Sequence, residues 1–226
     1  MLYIGCKSRY YFLVHLKMLT AFTAALLLIT ISELGDKTFF IAVILAMRHS
    51  RRWVFAGVVA ALAAMTLISV IMGNVVGLLP ETYINHGEIA LFLGFGVKLI
   101  YDASKMPDRT DDSLVKEATA EISQTQENNS LLANVMTKES VLGVLLQSFV
   151  MTFVAEWGDR TQISTIALAA AYNPLGVTAG AVLGHSICAA IAVIGGRLVA
   201  GHISEKMVTL IGGILFIIFG IFAIIY

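Results

Sequence analysis

Apolar residues run through this chain in long stretches that do not alternate with polar ones. Six stretches stand out, at about 19–47, 53–79, 84–103, 141–171, 175–200 and 208–226. A membrane-spanning helix needs about 20 mostly apolar residues, and five of the six meet this comfortably. The third is the weakest, because Glu88, Lys98 and Asp102 crowd its ends. Lys98 and Asp102 are four apart, the spacing of an ion pair on one helix face. In lipid the backbone must satisfy its own hydrogen bonds, and long unalternating runs do so as helices rather than as barrel strands. The pattern predicts an all-α membrane protein with six transmembrane helices.

A polar stretch at 104–138 divides the chain. Asp108, Asp111, Asp112, Glu117, Glu121 and Glu127 stand there against Lys105, Arg109, Lys116 and Lys138. It reads as a solvated tether with a helical turn or two near 114–122. Arg48, Arg51, Arg52, the linker bases, Arg197 and Lys206 all fall on one side of a six-helix chain. The positive-inside rule then puts the linker in the cytoplasm and both termini outside, against the pull of Lys7, Arg9 and Lys17. Residues 1–17 read as an N-terminal extension upstream of a start at Met18, or as part of a longer leader reading into the first helix.

Composition agrees with lipid as the main solvent. The chain is 58% hydrophobic and 13% charged, where a soluble domain carries about 45–50% and about 25%. Mean hydropathy is +0.85. A formal net charge of zero gives no reason to expect a nucleic-acid partner. Cys6 and Cys188 share no metal or redox spacing and read as ordinary thiols.

The strongest feature is an internal repeat. Glu33-Leu-Gly-Asp36-Lys-Thr matches Glu156-Trp-Gly-Asp159-Arg-Thr at an offset of 123 (156 − 33). At the same offset Ala56-Gly57 matches Ala179-Gly180, and Gly73 matches Gly196. The halves, 18–103 and 139–226, each hold three apolar segments. An odd number of spans makes the second copy enter from the opposite side, so the repeats are expected to be inverted, a recurring plan of secondary transporters with the site at the repeat interface.

Glu33 and Asp36, like Glu156 and Asp159, are three apart, so an unbroken helix would put each pair on one face. Crossing motif helices would bring four carboxylates together. Charge at that depth costs a few kcal/mol on insertion scales, and four carboxylates repel unless protons or a cation neutralise them. Carboxylate oxygens suit hard divalent ions such as Ca²⁺ and Mn²⁺, and closely spaced carboxyls exchange protons as a coupled group. Gly35 and Gly158 are placed to loosen the helix and free backbone carbonyls. Thr38, Thr161, Gln162, Ser164 and Gln147 are further candidate oxygen ligands. Lys37 and Arg160 lie four residues after Glu33 and Glu156 and are expected to pair with them, holding the carboxylates when no ion is bound or when one conformation is sealed.

Other polar and small residues have plainer readings. Gly57, Gly94, Gly96, Gly180, Gly184, Gly212 and Gly213 suit close helix contacts. His185 reads as a packing histidine, and Trp53, Tyr172 and Tyr226 as interface anchors. A Glu–Lys or Glu–Arg staple would explain one copy of the motif; two copies at matched depth weigh against it.

The paired E-x-G-D-[KR]-[ST] motifs, in two three-helix halves joined by an acidic linker, resemble the GDT-type cation/proton exchanger family. The resemblance covers residues 18–226, and the first motif segment looks most like the family's cyanobacterial manganese exporters. It implies a transporter rather than an enzyme, in a thylakoid or plasma membrane, moving Mn²⁺ and also Ca²⁺ out of the cytoplasm against protons. It also implies that Glu33, Asp36, Glu156 and Asp159 bind the ion as transported substrate, with no permanently bound cofactor. Rival readings are an exporter of small organic cations such as basic amino acids, an intramembrane aspartyl protease built on Asp36 and Asp159, and a passive channel.

Overall fold

The apolar segments are helical in this computed structural model, which describes residues 2–106, 119–120, 140–199 and 205–225. The first half comprises α1 (Leu2–Glu33), α2 (Lys37–Arg48), α3 (Arg51–Val76) and α4 (Glu81–Lys105). The second comprises α5 (Val141–Ala155), α6 (Arg160–Ala171), α7 (Pro174–Val199) and α8 (Glu205–Ile225). Residues 2–17, read above as an extension, continue directly into α1. Most of the linker, and Tyr226, lie outside the described residues.

The first and fourth apolar segments are not single helices. Each breaks at its acidic motif, α1 meeting α2 at 66° and α5 meeting α6 at 76°. The cause is local. Gly35 and Gly158 both adopt φ +80°, a left-handed conformation that costs a residue with a Cβ about 1–2 kcal/mol. The aspartate that follows each glycine is the N-cap of the next helix, with ψ 169° at Asp36 and 174° at Asp159. The second half-helices are both 12 residues long and end on extended residues, His49 and Tyr172. These correspondences all fall at the offset of 123.

Among the described residues, three helices are long and apolar enough to cross a membrane: Arg51–Val76, Pro174–Gly195 and Lys206–Ile225. Counting each bent pair as one span brings the total to five. The sixth expected span, in α4, is 25 residues long but carries Glu81, Glu88, Lys98 and Asp102. It packs along α8, where glycines let the backbones approach. A Cβ on Gly96 would lie 2.7 Å from the Ile217 side chain, and one on Gly213 would lie 3.0 Å from Ile100 N.

Packing between the halves is reciprocal. α1 packs along α7, and α5 along α3. Gly57 of α3 meets Leu145 O of α5, where a Cβ would sit 2.6 Å away. Gly180 of α7 meets Phe22 O of α1 in the same way. Both the glycines and their partners differ by 123 in number. One apolar core joins α2 to α3, α5 and α7 through Phe40, Leu45, Val58 and Ala192. A second joins α1, α4, α6, α7 and α8 through Leu28, Phe92, Leu168, Val177 and Phe216. Large apolar side chains such as Leu67, Ile71, Ile194 and Ile218 cover the outside, as lipid requires. Trp53 is exposed at the start of α3, where an interface anchor belongs. Tyr172 is half-buried, and its hydroxyl partners the buried carboxyl of Glu88.

Candidate cation site

The helix breaks decide where each acidic side chain goes. Glu33 ends α1, and Glu156 follows α5 as its C-cap. Both are buried, each 2% exposed. Thr38 Oγ1 donates to Glu33 Oε2 at 3.2 Å. Thr161 Oγ1 donates to Asp159 Oδ2 at 2.8 Å and lies 3.4 Å from Glu156 Oε2. The remaining oxygens, Glu33 Oε1 and Glu156 Oε1, are buried without a hydrogen-bond partner. Ligand atoms of Glu33, Glu156 and Asp159 all lie within 4.8 Å of one another. Two oxygens that each sit about 2.4 Å from one ion can be at most about 4.8 Å apart, so no pair among the three carboxyls is too far apart to share one divalent cation.

The two aspartates, equivalent in sequence, do different work. Asp159 caps α6: its Oδ1 accepts from Gln162 N at 2.7 Å and its Oδ2 from Thr161 N at 3.1 Å. The positive end of the α6 dipole favours this negative charge. Asp36 makes no side-chain cap. Its Oδ1 accepts from Arg160 Nη2 at 3.2 Å, an ion pair between the halves.

This corrects the expected pairing of Arg160 with Glu156. A four-residue spacing brings side chains together only on a continuous helix. The left-handed glycine ends that helix, swings Arg160 away from its own glutamate, and presents it to the opposite half. The same break separates Lys37 from the helical register of Glu33. It also replaces the expected single helix face for each Glu–Asp pair with two facing helix ends.

The other candidates divide. Thr38 and Thr161 hold the carboxylates. Gln162 is committed elsewhere, accepting from Gly158 N at 2.7 Å and donating to Met65 Sδ at 3.1 Å. Ser164 donates to Arg160 O at 2.6 Å. Both support the break rather than the carboxylates. Gln147 is buried on α5, its Oε1 without a partner.

His185, a packing histidine by its sequence context, stands beside the carboxylates in the fold. It is 5% exposed, and its Nδ1 lies 3.8 Å from Glu33 Oε1. The signal available in the sequence is a polar ring in the middle of an apolar span, which is rare without a use. Cys188, one turn on, donates to Thr30 O at 3.2 Å.

Two cavities of about 10 Å³ each flank the carboxyls, space for about one water. One is lined by Glu156, Thr161, Met65 and His185, the other by Glu33, Thr38 and Cys188. A larger cavity of about 210 Å³ borders the Asp36–Arg160 pair, with Lys37, Asp102, Met106 and Thr209 in its wall. Three carboxyls in so small a buried space repel strongly when charged, so they hold together with protons or with a cation.

Comparison with known proteins points the same way. The sequence pattern of the family described as divalent cation/proton antiporter GDT1 matches residues 21–107 and 144–226. A GDT1-like protein from Synechocystis sp. is 57% identical over 208 residues, covering 90% of this chain and 96% of the relative. A chloroplastic GDT1-like protein 2 from Oryza sativa subsp. japonica is 44% identical, over 89% of this chain and 60% of its own length. A chloroplastic PAM71-homolog protein from Arabidopsis thaliana is 41% identical, over 88% of this chain and 58% of its own length. No solved structure matches the chain.

Proposed function

This chain belongs to the GDT1 family of divalent cation/proton antiporters, and from that premise we propose that it exports Mn²⁺, and Ca²⁺ as a second substrate, from the cytoplasm in exchange for protons. The observation that carries the reading is the meeting of Glu33, Glu156 and Asp159 within 4.8 Å. Both motif halves contribute to this trio, and two of the three keep an unpartnered buried oxygen.

Glu33, Glu156 and Asp159 bind the ion, with Thr38 and Thr161 aiming the glutamates. Asp36 completes the set when it leaves Arg160. The ion reaches the 210 Å³ cavity first, drawn by Asp36 and Asp102, and the Asp36–Arg160 pair lies in that cavity's wall. An arriving cation competes with Arg160 for Asp36. Binding displaces protons from the glutamates, and protons returning from the other side displace the cation. Exchange follows when the two sides are never open together, because an empty cluster of charged carboxyls is too costly to form.

The two halves act as inverted repeats, residues 18–103 and 139–226, crossing six times in all with α4 as the sixth span. Reciprocal packing of Gly57 on Leu145 and Gly180 on Phe22 supports this. The linker lies in the cytoplasm and both termini outside, in a thylakoid or plasma membrane. An organic cation such as a basic amino acid is disfavoured by the 10 Å³ cavities at the carboxyls. A protease dyad is disfavoured because Asp36 pairs with Arg160 while Asp159 caps a helix.

The test is purified protein in liposomes with a pH dye inside and Mn²⁺ or Ca²⁺ added outside. Matched cation entry and proton exit, lost in Glu156→Gln, is the expected result. Cation entry without proton movement would make the protein a channel or uniporter; no flux of either ion would remove the reading.

A further inference from the structure

We propose that His185 is a ligand of the transported cation and sets the preference for first-row transition ions over Ca²⁺. This rests on the exchange reading above and adds to it a residue outside both motifs. His185 comes from the middle of α7, a helix that holds no part of either motif. It is 5% exposed, and its Nδ1 has no hydrogen-bond partner. The atom it faces, Glu33 Oε1, has none either. Their separation is 3.8 Å, which exceeds the roughly 3.2 Å limit of a hydrogen bond. Two ligands that each sit about 2.1 Å from one ion can be up to about 4.2 Å apart. The pair therefore has the spacing of two ligands on one cation, not that of hydrogen-bonded neighbours.

The surrounding groups leave this role to the imidazole. Thr66 and Ser69, in the same wall, donate to the carbonyls of Leu62 and Met65. Met65 Sδ accepts from Gln162 Nε2, and Cys188 donates to Thr30 O. His185 also lines the cavity that Glu156 and Thr161 share; among the described residues the ligand atoms within 4.8 Å of one another are those of Glu33, Glu156 and Asp159, so the ring joins the ion from the Glu33 side. Ca²⁺ takes oxygen ligands, whereas imidazole nitrogen favours transition ions. Carboxylates alone discriminate poorly between Mn²⁺ and Ca²⁺; one nitrogen added to them tilts the site toward Mn²⁺.

Electron spin-echo spectroscopy on the full-length protein loaded with Mn²⁺ reads the nitrogen directly. The expected result is modulation from a bound ¹⁴N that changes when the histidines carry ¹⁵N and disappears in His185→Gln. In liposomes the same variant, and His185→Asn beside it, should lower the ratio of Mn²⁺ to Ca²⁺ affinity about tenfold or more. Mn²⁺ bound by the wild type without nitrogen modulation overturns the proposal and leaves the exchange reading standing. So does modulation that survives in the variant, or an unchanged ratio. Failure of the wild type to bind Mn²⁺ at all overturns both.

Discussion

Glu33 and Glu156 each keep one carboxylate oxygen near a threonine hydroxyl and leave the other without a partner, and this decides what their loss should do. Glu156→Gln keeps the shape and removes the charge. It should abolish cation exchange and leave thermal stability within about 1 kcal/mol or raise it, since a buried charge is costly to keep; a scanning fluorimetry melt and the flux assay read the two separately. Asp159 has two jobs, and they separate by substitution. Asp159→Ser keeps the N-cap of α6 and loses the carboxylate, so it should fold normally and fail to transport. Asp159→Ala loses both and should cost about 1 kcal/mol more. Equal melting of the two variants would mean that the cap contributes nothing. The motif's chemistry was legible in the sequence, because charged residues in an apolar run stand out. The partner of Arg160 was not, because it lies 124 residues away and only the approach of the two halves supplies it.

At the scale of the elements, two kinds of glycine carry different costs. Gly158 adopts φ +80°, and a Cβ there would meet nothing within 4 Å. Gly158→Ala should cost about 1–2 kcal/mol from backbone conformation alone, and Gly158→Asn should recover part of it. Gly57 has ordinary helical backbone, but an added Cβ would lie 2.6 Å from Leu145 O and 2.7 Å from Ser148 Cβ. Backbone cannot step aside as a side chain can, so Gly57→Ala should force α3 from α5 and cost roughly 3 kcal/mol. A smaller loss of melting temperature at Gly57 than at Gly158 would contradict this ordering. The apolar runs announced the helices, and Gly35 and Gly158 the places where they loosen, but not that each segment breaks outright, at 34–36 and 156–159. A run of apolar residues looks alike whether or not a glycine within it turns left-handed.

The whole molecule is two halves that exchange contacts. Under the inverted arrangement proposed for them, the turn at His49–Ser50 and the matching turn at Tyr172–Asn173 face opposite sides of the membrane. In a background with Cys6 and Cys188 replaced, single cysteines at Ser50 and Asn173 should react with an impermeant maleimide from opposite sides. Labelling from the same side would defeat the inverted topology. The Asp36–Arg160 pair ties the halves together at the cavity edge, with side chains 20% and 28% exposed. Its stabilisation should be no more than about 1 kcal/mol, so Arg160→Gln should alter exchange rates far more than melting.

Periodicity, composition and the repeat at an offset of 123 determined by themselves an all-helical membrane protein with two acidic motifs. These are local properties, fixed by what lipid demands of a backbone and of a buried charge. Tertiary structure alone decided that the two glutamates meet Asp159, that Asp36 turns to Arg160 of the other half, and that His185 stands 3.8 Å from Glu33. Those contacts depend on how α1 packs against α7 and α5 against α3. No spacing within either motif encodes a distance to another helix.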